Sequence, residues 1–263
     1  IKQKTNYITN KISKNFLKSK MHSKHIVIQV DIGDGTQWGN VQTINPIREI
    51  FIPSVKEYCK KFNYDHQLIT NSIYEERNKE FNFLETKKKH YSFERYFHFE
   101  KNYEFIIYLD NDIYIYPDAK ELPKISGLMN VKEPEGNSSK IFREVNNLDE
   151  SFPYYNSGVT FCDKETAKTL SDYMIYRLEN KIRSKGKNSD NMLLNEFIIE
   201  NKKIFQELDP QWNYMPLLPN SKRIDKPYFF HFVGIHGKKI INQLQDNKIP
   251  IVDFLKEIKK FNK

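Results

Sequence analysis

Apolar residues in this chain gather into short runs of two periodicities. Lys24-His25-Ile26-Val27-Ile28-Gln29-Val30-Asp31 is apolar almost throughout and ends in an acid, the pattern of a strand buried on both faces. Beyond the turn-forming Asp31-Ile32-Gly33-Asp34-Gly35, Asn45 and Pro46 mark a helix start. Ile47, Ile50, Phe51, Val55 and Tyr58 then recur at helical spacing, with Pro53 expected to kink the helix. Tyr64 to Thr70 predicts a second strand, Asn71 to Asn82 a polar connection, Lys87 to Lys101 an aromatic-rich helix, and Tyr103 to Leu109 a third strand. The stripe Tyr91, Phe93, Tyr96, Phe97 and Phe99 on that helix reads as core.

The second half is less regular. Lys132 to Lys140 reads as a loop, Gly158 to Cys162 as a strand, Lys164 to Lys181 and Asp190 to Asn201 as helices, Tyr228 to Phe232 as a short strand, and Ile249 to Phe261 as an amphipathic helix. Strand alternating with helix predicts an α/β domain with a mainly parallel central sheet flanked by helices. Ligands in such sheets gather at the carboxyl ends of the strands, where Asp31 and Asp110 fall. Residues 1–24, rich in Lys, Asn and Ser, read as a basic extension or stem, and 25–263 as one domain.

Composition narrows the class. Aromatic residues make up 14% of 263, enough to fill a core in a chain with a mean hydropathy of -0.72, so the chain is expected to fold. A formal charge of +8 favours anionic partners, but the basic residues are spread thinly and no nucleic-acid motif appears, so nucleic acid is not expected as a partner. Cys59 and Cys162 stand far apart among apolar neighbours, which argues against a disulfide or a thiolate zinc site. No apolar stretch is long enough to span a membrane. The sequence begins at Ile1, so an upstream anchor stays open, with the cytoplasm as the expected compartment. The sequon Asn137-Ser138-Ser139 is too common by chance to weigh.

The chemistry concentrates in Phe105-Ile106-Ile107-Tyr108-Leu109-Asp110-Asn111-Asp112-Ile113-Tyr114-Ile115, an apolar strand ending in two carboxylates one residue apart. Burying such a pair is costly unless a divalent cation compensates it, and hard oxygen ligands suit Mg or Mn. A solvated turn with two surface acids is the plain alternative. More than a hundred residues later, Tyr228-Phe229-Phe230-His231-Phe232-Val233-Gly234-Ile235-His236-Gly237-Lys238-Lys239 ends another apolar strand in a histidine, glycines and lysines. Alone, His231 reads as a hydrogen-bonded core residue. Joined to the acid pair by folding, it becomes a nitrogen ligand and tilts the expected ion from Mg towards Mn.

The order Asp110-Asn111-Asp112, Tyr155-Asn156-Ser157-Gly158-Val159, Ser189-Asp190-Asn191-Met192-Leu193-Leu194-Asn195 and His231-Phe232-Val233-Gly234 with Lys238 resembles retaining GT-A glycosyltransferases. The nearest are the glycogenin and lipopolysaccharide galactosyltransferase group (family 8) and the xylosyl and galactosyl transferases of family 34. The resemblance spans roughly residues 25 to 245 and implies a single Rossmann-like GT-A domain that transfers a hexose or pentose from a UDP-sugar to a glycan, lipid or protein acceptor with retention. It implies that Asp110, Asp112 and His231 hold Mn, with Mg as second choice, and that Asn111 faces the ribose. Val30 and Asp31 would hold the uracil, Asn156, Ser157 and Gly158 would shape the sugar pocket, and Gly234 and Lys238 would contact the diphosphate. Asp190 and Asn191 match the pair beside the transferred sugar, although glutamine is usual at the second position. The family's spacing after the histidine is one residue shorter, which leaves Lys238 and Lys239 both open. Arg95 and Lys89 are the cations that the helix before the acid pair offers to the donor, neither in the family's register.

Two rival classes fit part of this pattern. Haloacid-dehalogenase-like phosphohydrolases also follow an apolar strand with Asp-x-Asp, but their motif opens the domain and favours Thr or Val where Tyr114 stands. A catalytically inactive nucleotide-sugar or glycan-binding module is the other.

Overall fold

The computed structural model describes residues 23–32, 47–81, 91–182, 184, 189–233, 237, 239–241, 246, 250 and 253. All but residues 250 and 253 of the expected helix over 249–261, the start at Asn45 and Pro46, Lys89, the glycine turn after Asp31, and Gly234 and Lys238 lie outside these residues.

A six-stranded sheet organises the domain in the order β2-β1-β3-β6-β5-β7. Its strands are β1 (His25–Val30), β2 (Asp65–Ile69), β3 (Phe105–Leu109), β5 (Leu128–Lys132), β6 (Tyr155–Asp163) and β7 (Phe205–Glu207). A separate pair joins β4 (Ile113–Ile115) to β8 (Phe229–His231). β1 runs parallel to β2 and β3, and β5 parallel to β7, whereas β6 is antiparallel to both β3 and β5. Five strands therefore point one way and β6 the other. The reversal matters for the site, because it lays the first residues of β6 beside the carboxyl ends of the other strands.

Each face of the sheet is covered. Ile26, Ile28, Ile106, Tyr108 and Cys162 pack with Leu170, Met174, Leu193 and Phe197 on one side. Val27, Ile107, Leu109, Val159 and Phe161 pack with Val55, Tyr58, Trp212 and Phe229 on the other. The strict alternation along β1 and β3 is the period of two that sends successive side chains to opposite faces. All of these partners but Trp212 and Phe229 come from the helices α1 (Ile52–Phe62), α4 (Lys164–Glu179) and α5 (Asp190–Glu200). Asn63, in the left-handed conformation at φ 56°, ends α1 with its N–H on the last carbonyls. Asp163 caps α4 by accepting from Thr166 N at 2.9 Å. Cys59 and Cys162 are both buried free thiols, as the spacing predicts.

Several local expectations change. Pro53 sits in the first turn of α1, where its missing N–H sacrifices no helical bond, and a wider turn, Ile47–Phe51, precedes it. The polar stretch after β2 contains a helix, α2 (Ile73–Phe81), because the buried carboxylate of Glu94 accepts from Ile73 N at 2.7 Å and Tyr74 N at 3.1 Å at its start. The aromatic stretch before β3 is a 3₁₀ helix over Tyr91–Phe97, with Phe93 and Tyr96 in the core as expected. The region read as a loop, Lys132 to Lys140, includes the end of β5 and the start of α3 (Asn137–Asn146).

Candidate active site

The site is assembled at the carboxyl end of β3. The chain leaves the sheet at Asp110, turns through Asn111 and Asp112, and re-enters as β4, whose Ile113 pairs with His231 on β8. That single pairing brings together residues distant in sequence, and Phe232 N donates to Asp112 O at 3.1 Å to close it. One ligand atom from each of Asp110, Asp112 and His231 lies within 4.8 Å of the others. His231 Nε2 stands 3.2 Å from Asp112 Oδ1 and 3.6 Å from Asp110 Oδ2.

The main chain of Asp110 is pinned from both sides. Its N–H donates to Gly158 O at 2.8 Å, and its carbonyl accepts from Gln29 Nε2 at 3.2 Å. Gln29 is itself held by His66 Nε2 at 3.0 Å. Gly158 is required by the closeness of the packing, since a Cβ there would lie 2.2 Å from His231 Cε1 and 2.8 Å from Asp110 Oδ2. Arg95 donates to Asp110 Oδ1 and, at 3.1 Å, to Ser157 O, and its guanidinium lies 3.8 Å from Asp190 Oδ2. Burial opposes the charge on Arg95, but Asp110, followed by Tyr96 and Asp190, raises its pKa above the usual guanidinium value. Asp190, in the first turn of α5, accepts from Ser157 Oγ at 2.7 Å.

These residues suit a divalent cation. Asp110, Asp112 and Asp190 share the site with one guanidinium, which meets Asp110 and Asp190, so three carboxylates stand against one cation in a largely buried setting. Asp112 Oδ1 is buried with no hydrogen-bond partner. His231 Nε2 and Asp112 Oδ1, 3.2 Å apart, are close enough to share a proton or a cation. Burial works against protonation of His231, but Asp112, with Asp110 and Glu133, outweighs it and raises the imidazole pKa.

Beside this centre lies a cleft of about 230 Å³ lined by Val30, Arg95, Asp110, Asn111, Asp112 and Asp190, with His231 at its wall. Asp31 is buried at the end of β1 and is held by Arg48, which donates Nε to Oδ2 at 2.7 Å and a second N–H to Oδ1 at 3.2 Å. Of the described residues predicted for the site, Asp31, Asn156, Ser157, Gly158 and Asn191 do not line this cleft. Asn191 Oδ1 accepts from Ser157 N at 2.6 Å and its NH₂ donates to Glu133 Oε2 at 3.3 Å, so its side chain holds neighbouring groups in place. Asn156 likewise accepts from Gly158 N at 2.8 Å and donates to Glu133 Oε2 at 2.9 Å. Lys239 is exposed, and Gly237 approaches the main chain so closely that a Cβ would meet Phe232 O at 1.8 Å.

Three participants carry no sequence motif. Glu133 follows β5, where burial raises its pKa against the opposing pull of Asn156, His231 and Asn191. Asn213 follows a short 3₁₀ turn and meets the histidine ring. Arg48 would have been visible only as a cation on the first helix.

A reversed β6 inside an otherwise parallel sheet, with an acid pair and histidine at the strand ends, fits the GT-A arrangement that the sequence resemblance implies. Solved structures share that fold. A glycosyltransferase involved in glycosylating the major capsid of PBCV-1 is 14% identical, with a TM-score of 0.53 and coverage of 85% of this chain and 98% of its own. An active-site mutant of LgtC is 11% identical, with a TM-score of 0.51 and coverage of 84% and 95%. No curated protein matches the sequence. The sequence model of glycosyl transferase family 8 matches residues 12–239, so the chain belongs to that family and is a metal-dependent glycosyltransferase. Neither the phosphohydrolase nor the inactive-module reading is favoured by these matches. Among the described residues, no helix is long and apolar enough to cross a membrane.

Proposed function

We propose that this enzyme moves a hexose or pentose from a UDP-sugar to a glycan, lipid or protein acceptor, with retention at the anomeric carbon. Asp110, Asp112 and His231 would hold Mn, with Mg as the second choice. The observation that carries this reading is the convergence of those three side chains around an unpartnered buried carboxylate oxygen at the cleft. The bound dication supplies Lewis-acid stabilisation of the diphosphate as negative charge develops on it.

The chain's own groups do the rest. Arg95 fixes the Asp110 carboxylate and offsets part of the local negative charge, acting on the donor through Asp110. Asn111, with its Oδ1 buried and unpartnered, is free to take a ribose hydroxyl. Asp190 faces the cleft from a helix start, held by Ser157, and orients the transferred sugar or steadies positive charge at its anomeric carbon. Asn191 and Asn156 are assigned positioning roles. A second cavity of about 470 Å³, whose wall includes Glu133, Asn213, Glu207, Lys132 and Lys222, is assigned to the acceptor.

The test is turnover of UDP-galactose, UDP-glucose and UDP-xylose with Mn, with Mg and with chelator. Sugar release or transfer from one of them that stops on chelation and returns with Mn supports the reading. Metal-independent turnover, or release only from a non-uridine donor, sinks it.

A further inference from the structure

A chain of buried hydrogen bonds runs away from the metal centre, and its polarity can be deduced from one backbone group. Gly158 N–H is a donor and nothing else, and it points at one end of the Asn156 amide at 2.8 Å, so that end is the oxygen. The same oxygen is 3.0 Å from Asn213, which must therefore present its NH₂ there. The other end of the Asn156 amide, its NH₂, faces the Glu133 carboxylate at 2.9 Å, in agreement. Asn213 is left with only its oxygen for His231, whose Nδ1 lies 2.9 Å away. An oxygen accepts, so Nδ1 carries the proton.

From this chain we infer that Asn213 is the positioning residue that sets the tautomer of His231, keeping Nδ1 protonated and the Nε2 lone pair aimed at Asp110 and Asp112. The inference rests on the metal-centre reading above. All three side chains, Asn156, Asn213 and His231, are at most 2% exposed, so water does not compete for these bonds. The main chain is fixed as well: Tyr214 N donates to Phe229 O at 2.9 Å and His231 N to Tyr214 O at 2.8 Å, holding the two residues in register. A neutral histidine free in water exchanges its proton between the two nitrogens. A ligand histidine gains when its other nitrogen has one fixed partner, and losing such a partner costs about 10–100-fold in metal affinity.

Two measurements test this. Nitrogen-15 chemical shifts of the His231 ring in the metal-free wild-type protein, taken where the ring is neutral, should report the Nδ1–H tautomer. The Nε2–H tautomer would overturn the inference, and this reading needs neither a variant nor a metal. The second is Mn(II) affinity in the presence of UDP, by electron paramagnetic resonance of the free ion. Asn213→Leu should weaken it about 10–100-fold, whereas in a His231→Ala background the same substitution should change it by less than about twofold. Equal losses in both backgrounds would show that Asn213 supports the fold and not the ring. Asn213→Ser, smaller and still able to accept from Nδ1–H, serves if the leucine variant does not fold and should recover part of the affinity. If wild-type protein binds no Mn(II), the metal-centre reading falls, and the tautomer alone decides the role of Asn213.

Discussion

The two halves of the sheet build the site in different ways. On the β2-β1-β3 side, parallel strands end in acids, Asp31 and Asp110, that project from strand ends and carry charge. On the β6-β5 side most of the contributing groups are amides, with Glu133 the one carboxylate they hold. Asn130 donates to Val159 O at 2.9 Å, Thr160 Oγ1 at 2.7 Å and Asn156 O at 3.1 Å, just where the β5–β6 register shifts. Asn195 accepts from Tyr155 N and donates to Tyr155 O, both at 2.8 Å, pairing with the edge of β6 as a neighbouring strand would. Buried amides can satisfy backbone donors and acceptors at once without adding charge, so they stiffen irregular backbone beside a crowded carboxylate cluster. One half supplies reactivity, and the other fixes its geometry.

Breaking the charged half should give the largest effect. Asp112→Asn removes a ligand while keeping its shape, and transfer at saturating Mn should fall by roughly 10³-fold with the thermal midpoint of the metal-free protein unchanged or raised. A loss of stability would make Asp112 a structural residue. Gly158→Ala tests the seam between the halves. Its Cβ would intrude on His231 and Asp110, so about 2 kcal/mol of stability and most Mn affinity should go together, as read by denaturant unfolding and metal titration. Stability lost with affinity intact would show that the seam yields without disturbing the centre.

Asn195→Ala removes the amide that pairs with β6 and should cost roughly 2 kcal/mol in urea unfolding, with Mn affinity nearly untouched because Asn195 meets no ligand. The smallest effect concerns His66, which braces Gln29 beneath Asp110. Burial, aided by Lys56, lowers its pKa from 6.5 to about 4. The unfolded chain therefore takes up this proton first. Stability from the neutral ring is complete above pH 6.5, declines as the pH falls, and is gone below about 4. Because the ring is only partly buried, the loss should be on the order of 1 kcal/mol. His66→Gln should flatten that part of the pH–stability curve, and an identical slope would remove the assignment.

The same contrast explains what could be read in advance. Apolar runs closing in an acid are legible because burial of both faces and the strand end leave a local mark, and so β1, β3, Asp110 and Asp112 were visible. His231 was visible for the same reason on β8. Arg95 is legible as a cation but stands outside the expected register. In a 3₁₀ helix, with three residues per turn, Phe93, Glu94, Arg95 and Tyr96 are all buried, so no amphipathic period marks which residue faces the site. Glu133 and Asn213 left no signal, because their roles arise from β6 running backwards and from the β4–β8 pairing, neither of which is encoded locally. The helix α2 was hidden because its start is stabilised by Glu94, some twenty residues further on.

The central claim is that Asp110, Asp112 and His231 form one divalent-metal centre serving a nucleotide sugar. Its most direct test is the stoichiometry and affinity of Mn(II) binding with and without UDP, in wild type and in His231→Ala. One ion per chain, held more tightly with UDP and markedly less tightly without the imidazole, is the result this account predicts. Binding that ignores UDP and is unchanged in His231→Ala would contradict it.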